Sequence, residues 1–317
     1  WFEPEMVNKD SDLYRAHPDW ILHAPQRASC HGRNQYVLDF SRKEIVDYIY
    51  GMIAKLLSES NISYIKWDMN RNISDANSAA LPPNRQGEVM HRYILGVYKL
   101  MENLVSTFPN ILFEGCSGGA GRNDPGILYY MPQNWGSDNT DAVERMYIQY
   151  GAGMVYPSST ICAHVSDVPN HQVGRTTPMK LRSEVAMSAV MGYEFDLSKL
   201  TDDECYDISE QIKQYKRIRS IVCFGDLYRL INPFENRSAS WMYVSEDKTK
   251  AVVFYYNKLA KPNSEIRRLK LKGLDEGKTY IVDNKEYTGR TLMNFGLYLP
   301  EYEKDFESRA WEIEEKK

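Results

Sequence analysis

Apolar residues recur at helical spacing in two long segments near the start of the chain. Ile45, Ile49, Ile53 and Leu56 follow this spacing, which predicts a helix over residues 44–57. A second amphipathic pattern predicts a helix over residues 86–107. Strand-like segments lie before, between and after these helices, at residues 36–41, 62–68 and 111–117. Repeated strand–helix units indicate parallel strands joined by helical crossovers.

The alternation continues to about residue 222. The pattern predicts helices over residues 140–151 and 179–192, and the segment "GMVYPSS" begins another predicted strand. Thr201 and Glu204 form a capping box that opens a further helix, which ends near residue 222.

Polar residues fall at the carboxyl ends of successive predicted strands: Asp39, Asp68, Cys116 and Asp138. A (β/α)8 TIM barrel places its active site there. A doubly wound sheet would concentrate its site at one or two strand ends, usually beside a glycine fingerprint. The fold class predicted is an α/β TIM barrel, of which this chain holds about the last six strand–helix units.

The pattern changes after Pro233. "SASWMYVSEDKTKAVVFYYNKL" alternates in polarity and turns at Glu246–Lys248 like a hairpin. Further short strands, with no helix between them, are predicted in "RRLKLKGL", "KTYIVDN" and "GLYLP". We predict a catalytic barrel portion over 1–233 and a C-terminal antiparallel β-sandwich over 234–317, with a structural or oligomer-forming role.

Composition excludes several classes of function. Charged residues make up 26% of the 317 residues and the net charge is −4, so no basic stripe is available for nucleic acid. No segment approaches the roughly 18 consecutive apolar residues that would span a membrane. The five cysteines include no C-x-x-C pair, which favours a reducing, cytoplasmic location over a disulfide framework or a zinc knuckle.

Two carboxylates stand out as candidate catalytic groups. Glycoside hydrolysis needs one carboxylate at the anomeric carbon and another that protonates the departing oxygen, and Asp68 and Asp138 are the candidates. Lys66 points to the same side of its strand as Asp68, and its charge favours the ionised form that a nucleophile needs. Asp141 and Trp135 near Asp138 favour a protonated donor. Alternatively, Ser137 or Asp138 caps the following helix.

Three other groups of residues suggest different chemistry. "CSGGAGRND" resembles a phosphate-binding glycine loop but lacks the Lys-Ser/Thr of a P-loop. Cys116 is a possible thiol nucleophile with His164 or His171 as base, although no Cys–His–Asn signature surrounds it. Cys162, His164 and His171 are possible metal ligands, although their spacing fits no common site.

Several long motifs together resemble the α-galactosidases of glycoside hydrolase family 36. The resemblance covers nearly the whole chain and rests on "WFEPEMVNKDSDLYRAHPDW", "KWDMNR", "CSGGAGRNDPGILYY", "QNWGSDNTDAVERMYIQYG" and "AHVSDVPNHQ". It implies retaining hydrolysis of terminal α-galactosides such as melibiose and raffinose, without metal or nucleotide cofactor.

The resemblance also implies roles for particular residues. Asp68 would be the nucleophile and Asp138 the acid and then the base. The family's substrate-binding positions correspond here to Trp1, Arg33, Lys66, Trp67, Asn70, Cys116, Ser117, Gly118 and Gly119.

The resemblance also implies an N-terminal β-sandwich and two earlier barrel strands, which would precede the part of the family pattern that this sequence matches. We therefore expect a fragment that is inactive or nearly so by itself, poorly soluble, and covered at its open edges by another polypeptide. The complete enzyme is expected to be a homo-oligomer, a tetramer in the family. Two alternatives are a galactosyl transferase of the raffinose or stachyose synthase type and a carbohydrate-binding fragment without turnover.

Overall fold

The computed structural model describes residues 1–262, 267–299 and 304–317. These divide into two units, residues 1–135 and residues 136–317. Each unit has its own set of strands and helices.

The first unit contains five strands and four α-helices. The strands are β1 (Met6–Asn8), β2 (Gln35–Val37), β3 (Tyr64–Trp67), β4 (Leu112–Gly115) and β5 (Gln133–Trp135). The helices are α1 (Asp12–Ala16), α2 (Lys43–Glu59), α3 (Val89–Thr107) and α4 (Pro125–Tyr130). The predicted helices over 44–57 and 86–107 are confirmed, except that residues 86–88 belong to a 3-10 helix over Pro83–Glu88.

Strands β3, β4 and β5 run parallel, as the strand–helix alternation predicted. Lys66 is in register with Glu114, which in turn is in register with Gln133. On the other side of β3, the Phe2 N–H donates to Lys66 O at 2.9 Å, and the Asp68 N–H donates to Phe2 O at 2.8 Å. The apolar faces of α2 and α3 are buried in one core with Ile65 and Phe113.

The prediction for residues 36–41 is wrong in one respect. Strand β2 pairs antiparallel with β1, with Met6 opposite Val37, so it does not belong to the parallel set. Asp39, just after β2, is fully buried and accepts hydrogen bonds from Ser41 and Ser78. Its carboxylate therefore holds a turn and does not lie at the end of a parallel strand.

The second unit begins with two more strand–helix repeats and continues into an antiparallel sheet. Its helices are α5 (Ala142–Ala152), α6 (Met179–Met187), α7 (Asp202–Phe224) and α8 (Gly289–Asn294). Its strands are β6 (Ile161–Ser166), β7 (Val190–Glu194), β8 (Asp226–Ile231), β9 (Ser238–Val244), β10 (Lys250–Asn257), β11 (Arg268–Leu269), β12 (Thr279–Val282), β13 (Lys285–Thr288), β14 (Leu297–Tyr298) and β15 (Glu307–Glu315).

Two local predictions in this unit are wrong. Residues 153–157 are not a strand, and a 3-10 helix over Ser158–Thr160 leads into β6. Residues 190–192 are not helical but begin β7, which pairs parallel with β6. Gly192 lies against the ring of His164, where a Cβ would come within 2.6 Å of the ring, so any other residue would require this ring to shift.

The capping box that opens α7 is confirmed. Thr201 accepts from the Glu204 N–H at 3.3 Å, and Glu204 Oε2 accepts from the Thr201 N–H at 2.9 Å. The hairpin between β9 and β10 is also confirmed, with Lys248 at φ 55° in its turn.

The C-terminal sheet is antiparallel in the order β13-β12-β15-β10-β9-β8, and β11 and β14 form a separate two-stranded ribbon. The prediction of no helix in this region is wrong, because α8 follows β13. Pro300, the last residue of the predicted strand "GLYLP", lies outside the described residues. Strand β8 joins the sheet although it precedes the predicted boundary at 233/234, and that boundary stays a prediction.

One face of the C-terminal sheet packs against helices of the same unit. Trp241, Tyr243, Phe254 and Tyr256 share a buried cluster with Leu181 of α6 and Ile218 and Val222 of α7. Across the described parts of the chain, none of the helices combines the length and the hydropathy needed to cross a membrane.

Candidate active site

Asp68 follows β3 directly and is almost completely buried, with 5% of its surface exposed. Its Oδ1 accepts from the Met69 N–H at 2.8 Å and from the Gly118 N–H at 3.4 Å. Its Oδ2 accepts from Asn70 Nδ2 at 2.6 Å. Donors from the strand end and from the loop after β4 therefore fix the orientation of this carboxylate.

The glycine-rich loop after β4 lies against the end of β3. The Cys116 N–H donates to Trp67 O at 2.7 Å, and Ser117 Oγ donates to Met69 O at 3.2 Å. Gly118 and Gly119 have φ values of 55° and 83°, which glycine adopts at little cost. This turn directs the Gly118 N–H at Asp68. The structure thus brings together five sequence-predicted residues: Asp68, Asn70, Cys116, Ser117 and Gly118.

Cys116 is a buried thiol beside this carboxylate. Burial, together with the negative charge of Asp68, raises the pKa of Cys116 to about 12. The thiol is therefore protonated at neutral pH, whereas a cysteine nucleophile needs a lowered pKa. This environment argues against the interpretation of Cys116 as a thiolate nucleophile.

Lys66 has a carboxylate partner that the sequence analysis missed. Its Nζ lies 3.6 Å from Glu114 Oε1 and 4.5 Å from the centre of the Trp135 ring. Glu114 is 2% exposed and also accepts from the Tyr64 hydroxyl. Lys66 was expected to act on Asp68, but Glu114 is the carboxylate with which it forms an ion pair. The register that sets Glu114 beside Lys66 could not be inferred from the sequence.

The other predicted substrate-binding residues have different surroundings. Trp1 is exposed, and Arg33 Nη1 lies 3.4 Å from Glu3 Oε1. Trp67 is 1% exposed, and its Nε1 donates to Glu5 at 2.8 Å. This placement in the core argues against a sugar contact for Trp67 and indicates a packing role.

Glu5 is the second acidic residue that the sequence analysis missed. It is fully buried, and it accepts hydrogen bonds from Trp67 Nε1 and from the Tyr93 hydroxyl. It also accepts from both terminal nitrogens of Arg122, and each of these two bonds is 2.9 Å long. Burial alone would lower the pKa of Arg122, but the charge of Glu5 outweighs it and the pKa is raised. Burial and Glu5 also raise the pKa of Tyr93 well above its ordinary value. Glu5 thus ties β3, α3 and the glycine-rich loop together.

In the second unit, Asp138 is exposed in the segment before α5. Gln172 Nε2 donates to its backbone oxygen at 2.7 Å. The helix is capped by Asp141, whose Oδ2 accepts from Val143 N at 3.1 Å and from Glu144 N at 3.0 Å. The alternative in which Ser137 or Asp138 caps this helix is therefore wrong. Asp141 also pairs with Arg175, so its charge has a partner of its own.

Arg145 holds the chain just before Asp138. It is 2% exposed and donates to Ser137 O at 3.2 Å and to Cys162 O at 2.6 Å. Burial lowers its pKa to about 10, so it remains charged at neutral pH. This residue, which had no signal in the sequence, connects the Asp138 segment to β6.

The histidine and cysteine positions considered as metal ligands are not grouped in the structure. His164 Nδ1 lies 3.1 Å from Glu194 Oε2. Within residues 1–262, 267–299 and 304–317, no group of three or more His, Cys, Asp or Glu side chains has the geometry to hold a metal ion.

Comparison with known proteins gives two family matches. Residues 1–225 match the model described as Melibiase. Residues 238–313 match the glycosyl hydrolase family 36 C-terminal domain.

Individual relatives agree with these matches. The chain is 52% identical over 314 residues to α-galactosidase AgaA of Geobacillus stearothermophilus and 47% identical over 313 residues to α-galactosidase Mel36A of Lactobacillus acidophilus. These alignments cover 99% and 98% of this chain, but 43% of each relative, so the chain spans less than half their length.

Solved structures show the same fold. The crystal structure of AgaA matches with a TM-score of 0.97, covering 99% of this chain and 44% of that one. AgaA variants in complex with raffinose and with stachyose match equally well, with TM-scores of 0.97. The predicted fold class, part of a TIM barrel followed by an antiparallel sheet, is confirmed by this likeness. The chain belongs to the α-galactosidases of glycoside hydrolase family 36.

Proposed function

We propose that the protein carrying this chain is a retaining α-galactosidase that removes terminal α-linked galactose from oligosaccharides such as melibiose and raffinose. The observation that carries the proposal is the buried Asp68 at the carboxyl end of β3, held by Met69, Gly118 and Asn70. The names of the relatives support the activity, and the raffinose and stachyose complexes of AgaA support the substrate class.

In this proposal, Asp68 attacks the anomeric carbon of galactose while the glycosidic bond to the leaving sugar breaks. Asp138 gives its proton to the departing oxygen, which leaves a covalent galactosyl-enzyme on Asp68. Asp138 then takes a proton from water as the water attacks the same carbon, which releases galactose and restores both carboxyl groups. Retention requires the two carboxyl groups to be roughly 5–5.5 Å apart.

The AgaA variants provide further support for this pair. Besides a change that both carry, the raffinose complex has one aspartate replaced by asparagine and the stachyose complex has another replaced by alanine. The separation of these two aspartates along AgaA equals that of Asp68 and Asp138 here. Loss of a catalytic carboxylate would let an intact substrate persist in a crystal.

The remaining predicted site residues, except the buried Trp67, are assigned to substrate binding. Lys66, ion-paired with Glu114, offers an ammonium group to sugar hydroxyls, and Asn70 and the glycine-rich loop adjoin Asp68. Trp1 and Arg33 are assigned to the same role.

We also infer a cytoplasmic homo-oligomer. The five cysteines are all free thiols, which supports a reducing compartment. Light scattering coupled to size-exclusion chromatography of the full-length protein tests the assembly, and a monomer would contradict it.

Hydrolysis of p-nitrophenyl α-galactoside by the full-length protein tests the activity. Nuclear magnetic resonance tests the mechanism, since the first-formed galactose should be the α-anomer. Asp68→Asn should abolish turnover, because no nucleophile remains. Asp138→Asn should spare activated aryl galactosides more than raffinose, because a good leaving group needs little protonation.

Asp47→Asn is the matched control, because Asp47 is an exposed carboxylate on α2 that pairs with Lys43. It should leave turnover unchanged. First-formed β-galactose, or equal losses on both substrates in Asp138→Asn, would contradict the assigned roles.

A further inference from the structure

Glu3 lies between three side-chain donors near the candidate nucleophile. Its Oε1 accepts from Asn70 Nδ2 at 2.6 Å and faces Arg33 Nη1 at 3.4 Å. Its Oε2 accepts from Gln35 Nε2 at 2.9 Å. The side chain of Glu3 is only 14% exposed. Neither Glu3 nor Gln35 is among the site residues that the sequence predicts.

The backbone explains why Glu3 reaches this position. Phe2 pairs in parallel with Trp67, through hydrogen bonds to Lys66 O and from Asp68 N. Glu3 is therefore in register with Asp68. Side chains at paired positions of neighbouring parallel strands project to the same face. Asn70 follows two residues later and joins the two carboxylates.

The hydrogen bonds of Asn70 fix the orientation of its amide. Nδ2 lies 2.6 Å from Asp68 Oδ2 and 2.6 Å from Glu3 Oε1. Both neighbours are carboxylate oxygens, which accept only, so the NH2 group must face them. Its two N–H donors are then both used. The remaining atom, Oδ1, can only accept, for instance from a hydroxyl of a bound sugar.

We propose that Glu3 is a positioning residue of the galactoside site. It holds the Asn70 amide so that one N–H orients Asp68 and Oδ1 accepts a bond from a sugar hydroxyl. Arg33 Nη1 lies farther from Glu3, at 3.4 Å, and its side chain is 56% exposed, so the effect of Glu3 on the site is expected to pass through Asn70. This inference rests on the proposed function, because Asp68 is taken as the nucleophile.

A carboxylate is needed for this role because three donors converge on it. Glu3→Gln keeps the shape of the side chain but has one acceptor oxygen where Glu3 has two, and it adds a donor. That donor would face Gln35 or Asn70, which themselves donate. We expect the Asn70 amide to turn away from Asp68.

The test is a double-mutant cycle in the full-length protein, with Glu3→Gln, Asn70→Ala and the double variant. Because small displacements of reacting groups can cost about 100-fold, Glu3→Gln should lower kcat/KM for p-nitrophenyl α-galactoside by about 10- to 100-fold. If Glu3 acts through Asn70, the double variant should be no worse than Asn70→Ala alone. The melting temperature of Glu3→Gln should stay close to that of the wild type, which a merely structural role would not predict.

Glu44→Gln is the control, because Glu44 also accepts from an arginine, Arg42, but lies at the start of α2. It should leave kcat/KM unchanged. Unchanged kcat/KM in Glu3→Gln, or additive losses in the double variant, would overturn the proposal.

A crystal structure of Glu3→Gln separates this inference from the proposed function. It should show Asn70 Nδ2 beyond hydrogen-bond distance of Asp68, and an intact Asn70–Asp68 bond would overturn the inference even if the enzyme is active. A wild-type protein without α-galactosidase activity would instead refute the proposed function, while the position of Asn70 in the variant would still decide the role of Glu3.

Discussion

At the residue scale, the polar groups around β3 form pairs that a linear sequence does not reveal. Lys66 lies two residues before Asp68 in the sequence, but its ion pair is with Glu114 on the neighbouring strand. Asp141 was expected to influence Asp138, yet it caps α5 and pairs with Arg175. In both cases, the residue forms its ion pair with a residue that is distant in sequence but adjacent in the fold.

Replacement of Lys66 should affect stability as well as sugar binding. Lys66→Met leaves the nearly buried Glu114 carboxylate without its cation, which should lower the free energy of unfolding by about 1–3 kcal/mol. Urea denaturation of the full-length protein measures this loss. The double variant Lys66→Met/Glu114→Gln should recover part of the stability, and equal losses in the single and double variants would contradict the pairing.

Cys116 should resist alkylation at pH values that modify ordinary thiols. Its pKa of about 12 keeps it protonated at pH 8, and it is 4% exposed, whereas Cys30 and Cys205 are exposed. Iodoacetamide treatment followed by peptide mass spectrometry should label Cys30 and Cys205 first. Rapid labelling of Cys116 in the folded protein would be the contrary result.

The raised pKa of Cys116 also makes the free energy of unfolding depend on pH. The pKa of Cys116 is higher in the folded than in the unfolded chain, so the folded state binds the proton more tightly. The associated stability is complete below the ordinary thiol pKa of about 9 and is lost as the pH rises through about 12.

At the element scale, local signals set where helices begin. The capping box of Thr201 and Glu204 opens α7, and Asp141 and Asp124 cap α5 and α4 through their side chains. Each acceptor satisfies backbone N–H groups that the first helical turn leaves unpaired.

Removal of the α7 cap should have a measurable effect. Thr201→Ala should lower the free energy of unfolding by about 0.5–2 kcal/mol, because the Glu204 N–H loses its acceptor. Ser209→Ala, at an exposed position inside the same helix, is the matched control and should change stability little. Chemical denaturation compares the two, and an equal effect would argue against the cap.

At the scale of the whole molecule, the C-terminal sheet of the second unit is joined to helices that precede it. Tyr256 donates to Glu184 O at 3.0 Å and Tyr243 donates to Ser188 O at 2.7 Å, both in buried surroundings. The sheet therefore shares its core with α6 and α7, and the two family matches fall on parts of the chain that pack together within this unit.

Tyr256→Phe should accordingly weaken the second unit. It leaves the Glu184 carbonyl without a buried donor, at a cost of about 1–3 kcal/mol. Thermal unfolding should show a lower midpoint, whereas Tyr206→Phe, at a 67% exposed position on α7, should show no change. Equal midpoints for the two variants would contradict the coupling of sheet and helix.

The sequence by itself determined the class of fold, most of the long helices and the candidate nucleophile. Helical spacing located α2 and α3, and strand–helix repetition indicated parallel strands, because both follow from local backbone geometry. The placement of Asp68 at the carboxyl end of a parallel strand was also inferred, because strand–helix repetition indicates parallel strands whose carboxyl ends share one edge.

Only the tertiary structure decided which groups contact one another. The antiparallel pairing of β2, the register of Lys66 with Glu114 and the convergence of Asn70, Gln35 and Arg33 on Glu3 depend on strand pairing between distant segments. The burial of Glu5 and the switch from helix to strand at Val190 are likewise set by packing. Periodicity reports which face of an element is apolar, but not which neighbour that face meets, because pairing and register are fixed by long-range contacts that local sequence does not encode.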